Sequence, residues 1–213
     1  MTKNDLKIAS LATTVTAAVP TAAPAAENAS VNELIASIRA QDDKVRAAAW
    51  QSAGPLGAPA VKSLAAVMTD PDREVARAAK RALWRIVRQA GRPGATKEAN
   101  AVVAQLVPLL TTTSLPVRRE VLWMLSEIGA DEAVAPVAAL LADQELREPA
   151  RCALQRIPGP KATAALKQGL HTAPDEFKPA LAVSLRIRGE KVDGYPSQKL
   201  VPTKQTSIQR LVT

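Results

Sequence analysis

A thiol and an imidazole are the two side chains of this sequence that best suggest nucleophilic catalysis. The chain holds one cysteine, Cys152, and one histidine, His171. A cysteine beside a histidine base can form covalent intermediates, and the spacing of the two along the sequence does not exclude that pairing. However, Cys152 falls near the apolar side of a predicted helix and His171 at a helix end. We therefore expect a core thiol and a surface imidazole.

The remaining residues argue against a metal or a cofactor. The sequence has no glycine-rich phosphate loop, no paired-cysteine motif and no cluster of histidines with carboxylates. One histidine and one cysteine are too few for the usual zinc ligand sets. The sequence thus predicts no metal, no cofactor and no enzymatic activity.

Positive charge is concentrated in one segment. Residues 73–97 carry eight basic residues and one acid, against a net charge of +8 for the whole chain. On a helical wheel, six of these cations share one side with Trp84, away from Val75. This candidate partner-binding face consists of Arg73, Arg77, Lys80, Arg81, Trp84, Arg85 and Arg88.

Two interpretations of this basic face remain open. Arginines four residues apart could contact successive phosphates or carboxylates, with Trp84 stacked on a base or on an arginine plane. Alternatively, the face is an ordinary solvated helix surface, with Trp84 covered by residues 91–99. The second interpretation is favoured, because in a stack of repeated helix pairs the first helix of each pair usually faces outwards.

Two later segments show the opposite composition. Residues 102–113 and 133–141 contain no charged residue. A helix that is apolar all round is normally buried on all sides. If the two segments are the second helices of repeated helix pairs, two interpretations are open. They could line a concave groove that binds an apolar peptide, a helix or a second copy of the chain, or they could be covered by the chain's own termini. The candidate residues for a groove are Val103, Leu106, Val137 and Leu140.

The composition indicates which elements position these residues. Hydrophobic residues make up 47% of the chain and aromatic residues 2%, and alanine is the most frequent residue. A β-sandwich or barrel relies on aromatic and β-branched residues, whereas alanine is the strongest helix former. No apolar run is long enough to span a bilayer. The sequence therefore predicts closely packed helices and no membrane span.

An apolar pattern recurs five times. Its copies follow one another at similar intervals, except for a longer interval between the second and the third copy. Further apolar residues follow each opening residue four, eight and eleven positions later. These positions form one stripe of an α-helix. The fifth copy departs from the pattern, with Arg188 at the eleventh position. Second helices are expected at about 59–69, 100–112, 131–143 and 160–171, with Pro108 and Pro136 causing late starts or kinks. The opening residues are Val45, Val75, Val117, Leu146 and Phe177.

These residues carry a family resemblance. Asp70-Pro71-Asp72-Arg73-Glu74-Val75, Asp42-Asp43-Lys44-Val45-Arg46 and Pro116-Val117-Arg118 resemble the opening of HEAT-like repeats of the short, phycobilin-lyase type, and residues 133–141 resemble their second helix. The resemblance implies an all-α fold, a right-handed α-solenoid (superhelix) of about five helix–turn–helix repeats, whose members commonly serve as protein-binding scaffolds. The chain departs from the pattern at Ala76, where arginine is usual, and in the fifth copy, which lacks a second helix.

One enzyme class resembles this architecture. HEAT-like DNA glycosylases that remove alkylated purines pair aromatic residues with a catalytic aspartate in a basic groove. Trp123 with Glu127 one turn later is similar in spacing, but the acid is glutamate and the flanking sequence does not match. For Trp123 and for Trp50, which also lies off the apolar stripe, contacts between neighbouring repeats are the favoured explanation.

The two ends of the chain differ from the repeats. Residues 1–29 resemble a weak secretory signal or a disordered Ala/Pro/Thr segment, and export is slightly favoured over a cytoplasmic location. The solenoid is expected over residues 30–190, beginning with a capping box of Ser30 and Glu33. Residues 191–213 are expected to be a basic and mostly disordered tail, in which Ile208 and Leu211 could form one docking turn.

These observations lead to one functional prediction and one alternative. We expect a non-catalytic protein–protein interaction scaffold that binds a protein partner through the solenoid surface, with self-association open. The alternative is nucleic-acid or other polyanion binding through the basic face, including a remote glycosylase activity.

Overall fold

The computed structural model describes the backbone of residues 23–196 and the side chains of residues 30–196. Every regular element in this part of the chain is a helix. The α-helices are α1 Ala23–Ile38, α2 Asp43–Ser52, α3 Ala58–Val67, α4 Arg73–Ala90, α5 Thr96–Leu106, α6 Leu115–Ile128, α7 Asp131–Ala139, α8 Arg147–Arg156, α9 Pro160–Thr172 and α10 Lys178–Ile187.

The helices form two layers around one continuous core. The first-helix layer contains α2, α4, α6, α8 and α10, and the second-helix layer contains α1, α3, α5, α7 and α9. Within the described residues, α2 to α9 make four complete helix pairs, and α10 has no second helix after it. This arrangement confirms the predicted all-α solenoid.

The repeated apolar stripe is the core of the first-helix layer. The residues four and eight positions after each opening residue are all buried: Ala49, Ala79, Val121, Ala150, Leu181, Ala53, Leu83, Leu125, Leu154 and Leu185. Four of the five opening residues are buried as well. Val45 is the exception at 45% exposure, and the prediction for it is wrong. In the part of the chain that the structure describes, α1 alone precedes this first copy, instead of a complete helix pair.

Side-chain caps set the starts of three first helices. Asp42, Asp72 and Ser114 each accept a hydrogen bond from a backbone N–H of the following turn, which would otherwise lack an intrahelical partner. Asp72 thereby fixes the start of α4, the longest of the helices described at 18 residues. The repeated Asp-containing turns of the sequence are therefore helix caps.

The N-terminal boundary differs from the prediction. Helix α1 begins at Ala23, so Ser30 lies inside the helix and is not an N-cap. Alanines at positions 23, 25, 26 and 29 favour continuing the helix, and Pro24 is tolerated in its first turn. The expected boundary at residue 30 falls within α1, and the signal-like residues 1–22 lie outside the described part.

Contrary to one of the two predictions for them, Pro108 and Pro136 do not delay the starts of their helices. Helix α5 begins at Thr96 and ends at Leu106, and Pro108 opens a 3-10 turn, Val107–Thr111. Helix α7 begins at Asp131 with Pro136 inside it. Proline thus ends one helix and is accommodated within the other, at the expense of one backbone hydrogen bond.

The last repeat is closed by two arginines. Arg188 donates from its guanidinium to backbone carbonyls at the end of α8 and beyond it, and to the hydroxyl of Thr163 on α9. Arg186 donates to the carbonyls of Val192 and Tyr195. The beginning of the expected tail is therefore held against α10, while Ile208 and Leu211 lie outside the described residues.

Candidate functional site

Helix α4 presents its cations to solvent and its aliphatic residues to the core. Val75, Ala79, Leu83 and Ile86 are buried, whereas the six cations predicted on the other side are all exposed. The basic face therefore exists as a surface, with half-buried Trp84 inside it.

The described residues neutralise only part of this charge. Arg77 pairs with Glu74 at 2.8 Å between Nη1 and Oε1, and Lys80 pairs with Glu120 of α6 at 3.4 Å. Most other cations of the repeats have a carboxylate partner as well. Four on α4 have none among the described residues: Arg73, Arg81, Arg85 and Arg88.

Two of these arginines share a tryptophan of the preceding repeat. The guanidinium carbons of Arg81 and Arg85 lie 5.3 and 5.8 Å from the centroid of the Trp50 ring on α2. A cation over an indole ring is attracted by its quadrupole. The predicted contact of Trp50 with a neighbouring repeat is therefore confirmed.

Trp84 is held by α6 and by its own helix. Its indole Nε1 donates a hydrogen bond to Glu120, and the guanidinium carbon of Arg88 lies 5.5 Å from its ring centroid. The arginine that lies over the Trp84 ring thus comes from the same molecule. The interpretation that residues 91–99 cover Trp84 stays a prediction; within that segment Arg92 pairs with Glu98.

Trp123 is not covered by neighbouring repeats, contrary to the prediction. It lies on α6, one turn after Glu120, and is 43% exposed. Glu127, the acid matched to a glycosylase aspartate, accepts a hydrogen bond from Arg156 of α8 at 2.8 Å. This pair joins two repeats, so the Glu127 carboxylate already has a cationic partner.

The residues predicted to line an apolar groove belong mostly to the core. Val103, Leu106 and Val137 are completely buried and therefore inaccessible to a partner, whereas Leu140 is half-buried. The accessible apolar surface of this layer includes smaller residues. A cavity of about 510 Å³ opens between α7 and α9 and is lined by Ala138, Ala139, Leu141, Ala142, Ala165, Gln168, Gly169, Thr172, Ala173 and Pro174.

Cys152 has charged neighbours instead of a histidine base. Its Sγ lies 3.1 Å from Nη2 of Arg151 and 4.0 Å from Oε1 of Glu148. Burial raises the pKa of the thiol above its usual value, with Arg151 opposing that shift. A raised pKa reduces the thiolate fraction and so the nucleophilicity at neutral pH. His171 lies exposed at the end of α9.

The described residues show neither a metal-binding cluster nor a membrane-spanning helix. They contain no group of three or more histidine, cysteine, aspartate or glutamate residues that could hold a metal ion. None of their helices combines the length and the apolar character needed to cross a membrane.

Comparison with known proteins identifies the repeat. Residues 64–154, from α3 to α8, match the family model of HEAT repeats. This part of the chain is HEAT-like. The finer likeness to the short, phycobilin-lyase type stays a prediction. No curated protein sequence matches the chain significantly.

Solved structures of engineered repeat proteins are also similar to this chain. An engineered protein of the Northeast Structural Genomics Consortium is 26% identical, with a TM-score of 0.40 and coverage of 75% of this chain and 79% of that one. A designed armadillo repeat protein in complex with the peptide (KR)4 is 18% identical, with a TM-score of 0.44 and coverage of 76% and 83%. Repeat solenoids of this kind are commonly scaffolds for protein interaction and typically not enzymes.

Proposed function

We propose that this protein is a non-catalytic scaffold that binds a protein partner through the first-helix layer at α4 and α6. The observation that carries the proposal is the group Arg81, Arg85, Arg88 and Trp123, which we call the arginine–tryptophan face. The three arginines have no carboxylate partner among the described residues, and Trp123 is 43% exposed.

The composition of this face supports a protein partner. Arginine and tryptophan are enriched among the residues that contribute most to protein–protein binding. Planar guanidinium groups can bind carboxylates in a bidentate manner, and an indole ring supplies apolar area with little loss of side-chain entropy. The two residue types lie on neighbouring helices of the first-helix layer, α4 and α6, which share a continuous core.

Nucleic-acid binding is the second candidate, and the charge of α4 favours it. Single-stranded nucleic acid is usually bound by cations together with free aromatic rings on which bases stack. The rings of Trp50 on α2 and Trp84 on α4 each already have an arginine guanidinium over them, from Arg81 and Arg85 or from Arg88. This arrangement supports a carboxylate-bearing partner over a base-stacking one.

Affinity capture from a nuclease-treated extract tests the proposed function. The full-length chain should retain protein partners after nuclease treatment, and the double variant Arg81→Glu/Arg85→Glu should retain at least about tenfold less, because charge reversal opposes the complementary surface. The control variant Lys161→Glu/Lys167→Glu makes the same charge change on α9. Loss of all bound protein on nuclease treatment would instead support the nucleic-acid candidate, and equal recovery by both variants would exclude this face.

A further inference from the structure

Arg81 and Arg85 of α4 do not take part in the ion pairs that join the repeats. Elsewhere, charged residues of one repeat pair with the next, as in Arg119 with Glu145 and Arg156 with Glu127. The residue of α2 that faces Arg81 and Arg85 is Trp50 instead of an acid. The interaction with the ring leaves two adjacent positive charges without a carboxylate partner among the described residues.

The tryptophans also order these arginines before any partner arrives. Free arginine side chains lose conformational entropy when they are immobilised at an interface. Arg81, Arg85 and Arg88 are already stacked on rings, so part of that loss has occurred on folding. A guanidinium over a ring can still use the N–H groups at its edge to bind a carboxylate.

The spacing of the cations matches that of a helix. Arg81, Arg85 and Arg88 are four and three residues apart on one side of α4. At about 1.5 Å of rise per residue, they are separated by roughly 6 and 4.5 Å along the axis. A partner helix beside α4 presents carboxylates at the same separations when its acids are four and three residues apart.

Trp123 is an exposed aromatic side chain on α6, the helix that follows α4 in the first-helix layer. It is one turn from Glu120, which itself binds Lys80 and Trp84 of α4. Glu120 and Glu127 lie three and four residues from Trp123 on the same helix, close enough for their charges to act across it. Both carboxylates already pair with cations, Lys80 and Arg156, so Trp123 offers an exposed apolar ring between two ion pairs.

We infer that the arginine–tryptophan face binds an acidic amphipathic helix. Carboxylates on one side of that helix pair with Arg81, Arg85 and Arg88, and an apolar side chain next to them covers Trp123. The inference rests on the proposed scaffold function and specifies the chemistry of the partner.

Fluorescence anisotropy with defined ligands tests this inference on the full-length chain. One labelled peptide, long enough for several helical turns, would carry glutamates spaced four and three residues apart and a leucine stripe beside them. A second peptide would have the same composition in scrambled order, and a third ligand would be an oligothymidine of comparable length. The periodic peptide should bind at least about tenfold more tightly than either of the others at moderate salt.

Three variants connect the binding to the named side chains. Arg81→Glu/Arg85→Glu and Trp123→Ala should each weaken binding of the periodic peptide by about tenfold or more. Lys161→Glu/Lys167→Glu should leave the affinity unchanged. All of these side chains are exposed, and circular dichroism melting would verify that the variants fold.

Three results would overturn the inference: equal affinity for both peptides, tighter binding of oligothymidine, or an unchanged affinity of Trp123→Ala. Capture of proteins that depends on Arg81 and Arg85, together with failure of the periodic peptide, would leave the scaffold function standing and exclude the acidic helix. Failure of both experiments would exclude the scaffold function at this face as well.

Discussion

Glu120 connects two repeats through a single carboxylate. It accepts a hydrogen bond from the indole Nε1 of Trp84 and pairs with Lys80, both on α4. Its side chain is 19% exposed, so water replaces these partners poorly. This residue was not singled out from the sequence, because its partners lie on another helix, far away along the chain, and nothing in the local pattern marks it.

Glu120→Ala should lower the free energy of unfolding by about 1–2 kcal/mol, since it leaves a partly buried indole N–H and an ammonium without their acceptor. Glu74→Ala removes the exposed pair with Arg77 and should cost about 0.5 kcal/mol or less. Urea unfolding of both variants measures the difference. Equal effects of the two substitutions would show that Glu120 does not join the repeats energetically.

Arg188 explains why the apolar stripe fails in the fifth copy. Its guanidinium takes the place of an aliphatic residue and donates to the carbonyls of Leu154, Gln155, Ile157 and Gly159 at distances of 2.6 to 3.0 Å. These carbonyls lie at the end of α8, where helical acceptors lack intrahelical partners. The substitution of arginine for isoleucine in the pattern is therefore a helix cap supplied by the next repeat.

Arg188→Ala should destabilise the protein by about 2–3 kcal/mol, because several carbonyls lose a charged donor together. Arg73→Ala, an exposed arginine on α4, should change stability by about 0.5 kcal/mol or less. Thermal and urea unfolding would measure both. If Arg188→Ala proved as stable as Arg73→Ala, the cap would have no energetic role.

At the scale of helices, the first turn of α8 contains an internal ion pair. Arg151 Nε lies 2.9 Å from Oε2 of Glu148, and this hydrogen bond lowers the pKa of the Glu148 carboxyl below its usual value of 4.5. A lowered folded-state pKa means that the carboxylate stabilises the folded form above the unfolded pKa. That contribution is lost as the pH falls through the folded pKa.

The difference in unfolding free energy between the wild-type protein and Glu148→Gln should therefore be constant near neutral pH and decrease below about pH 4.5. Because the side chain is more than half exposed, we expect a few tenths of a kcal/mol at neutral pH. Urea unfolding at several pH values measures it. A difference that grows as the pH falls would contradict the assigned direction.

Elements with a strong local signal were predictable from the sequence. The stripe at offsets of four and eight residues identified buried positions in all five first helices, because burial on one helix face imposes that period. The start of α1 was not predicted, since Ser30 and Glu33 form a plausible capping box within a segment that alanine keeps helical. A local motif cannot show whether the preceding residues continue the helix.

For the whole molecule, the sequence indicated where charge is concentrated but not which charges are free. The helical wheel placed seven residues on the basic face, and all of them lie there. Pairing with Glu74 and Glu120 and stacking on Trp50 and Trp84 depend on contacts between helices and became visible only in the fold. For the uncharged second helices, the predicted apolar groove was mostly wrong, because their largest side chains form the core.

Site-specific photo-crosslinking most directly tests the claim that this HEAT-like solenoid is a scaffold that binds a protein through its arginine–tryptophan face. A photoreactive residue at position 77 lies on α4 and leaves Arg81, Arg85 and Arg88 intact, and one at position 164 lies exposed on α9. We predict protein adducts from position 77 that survive nuclease treatment, and few or none from position 164. Adducts from position 164 alone, or nucleic acid as the adduct of position 77, would contradict the claim.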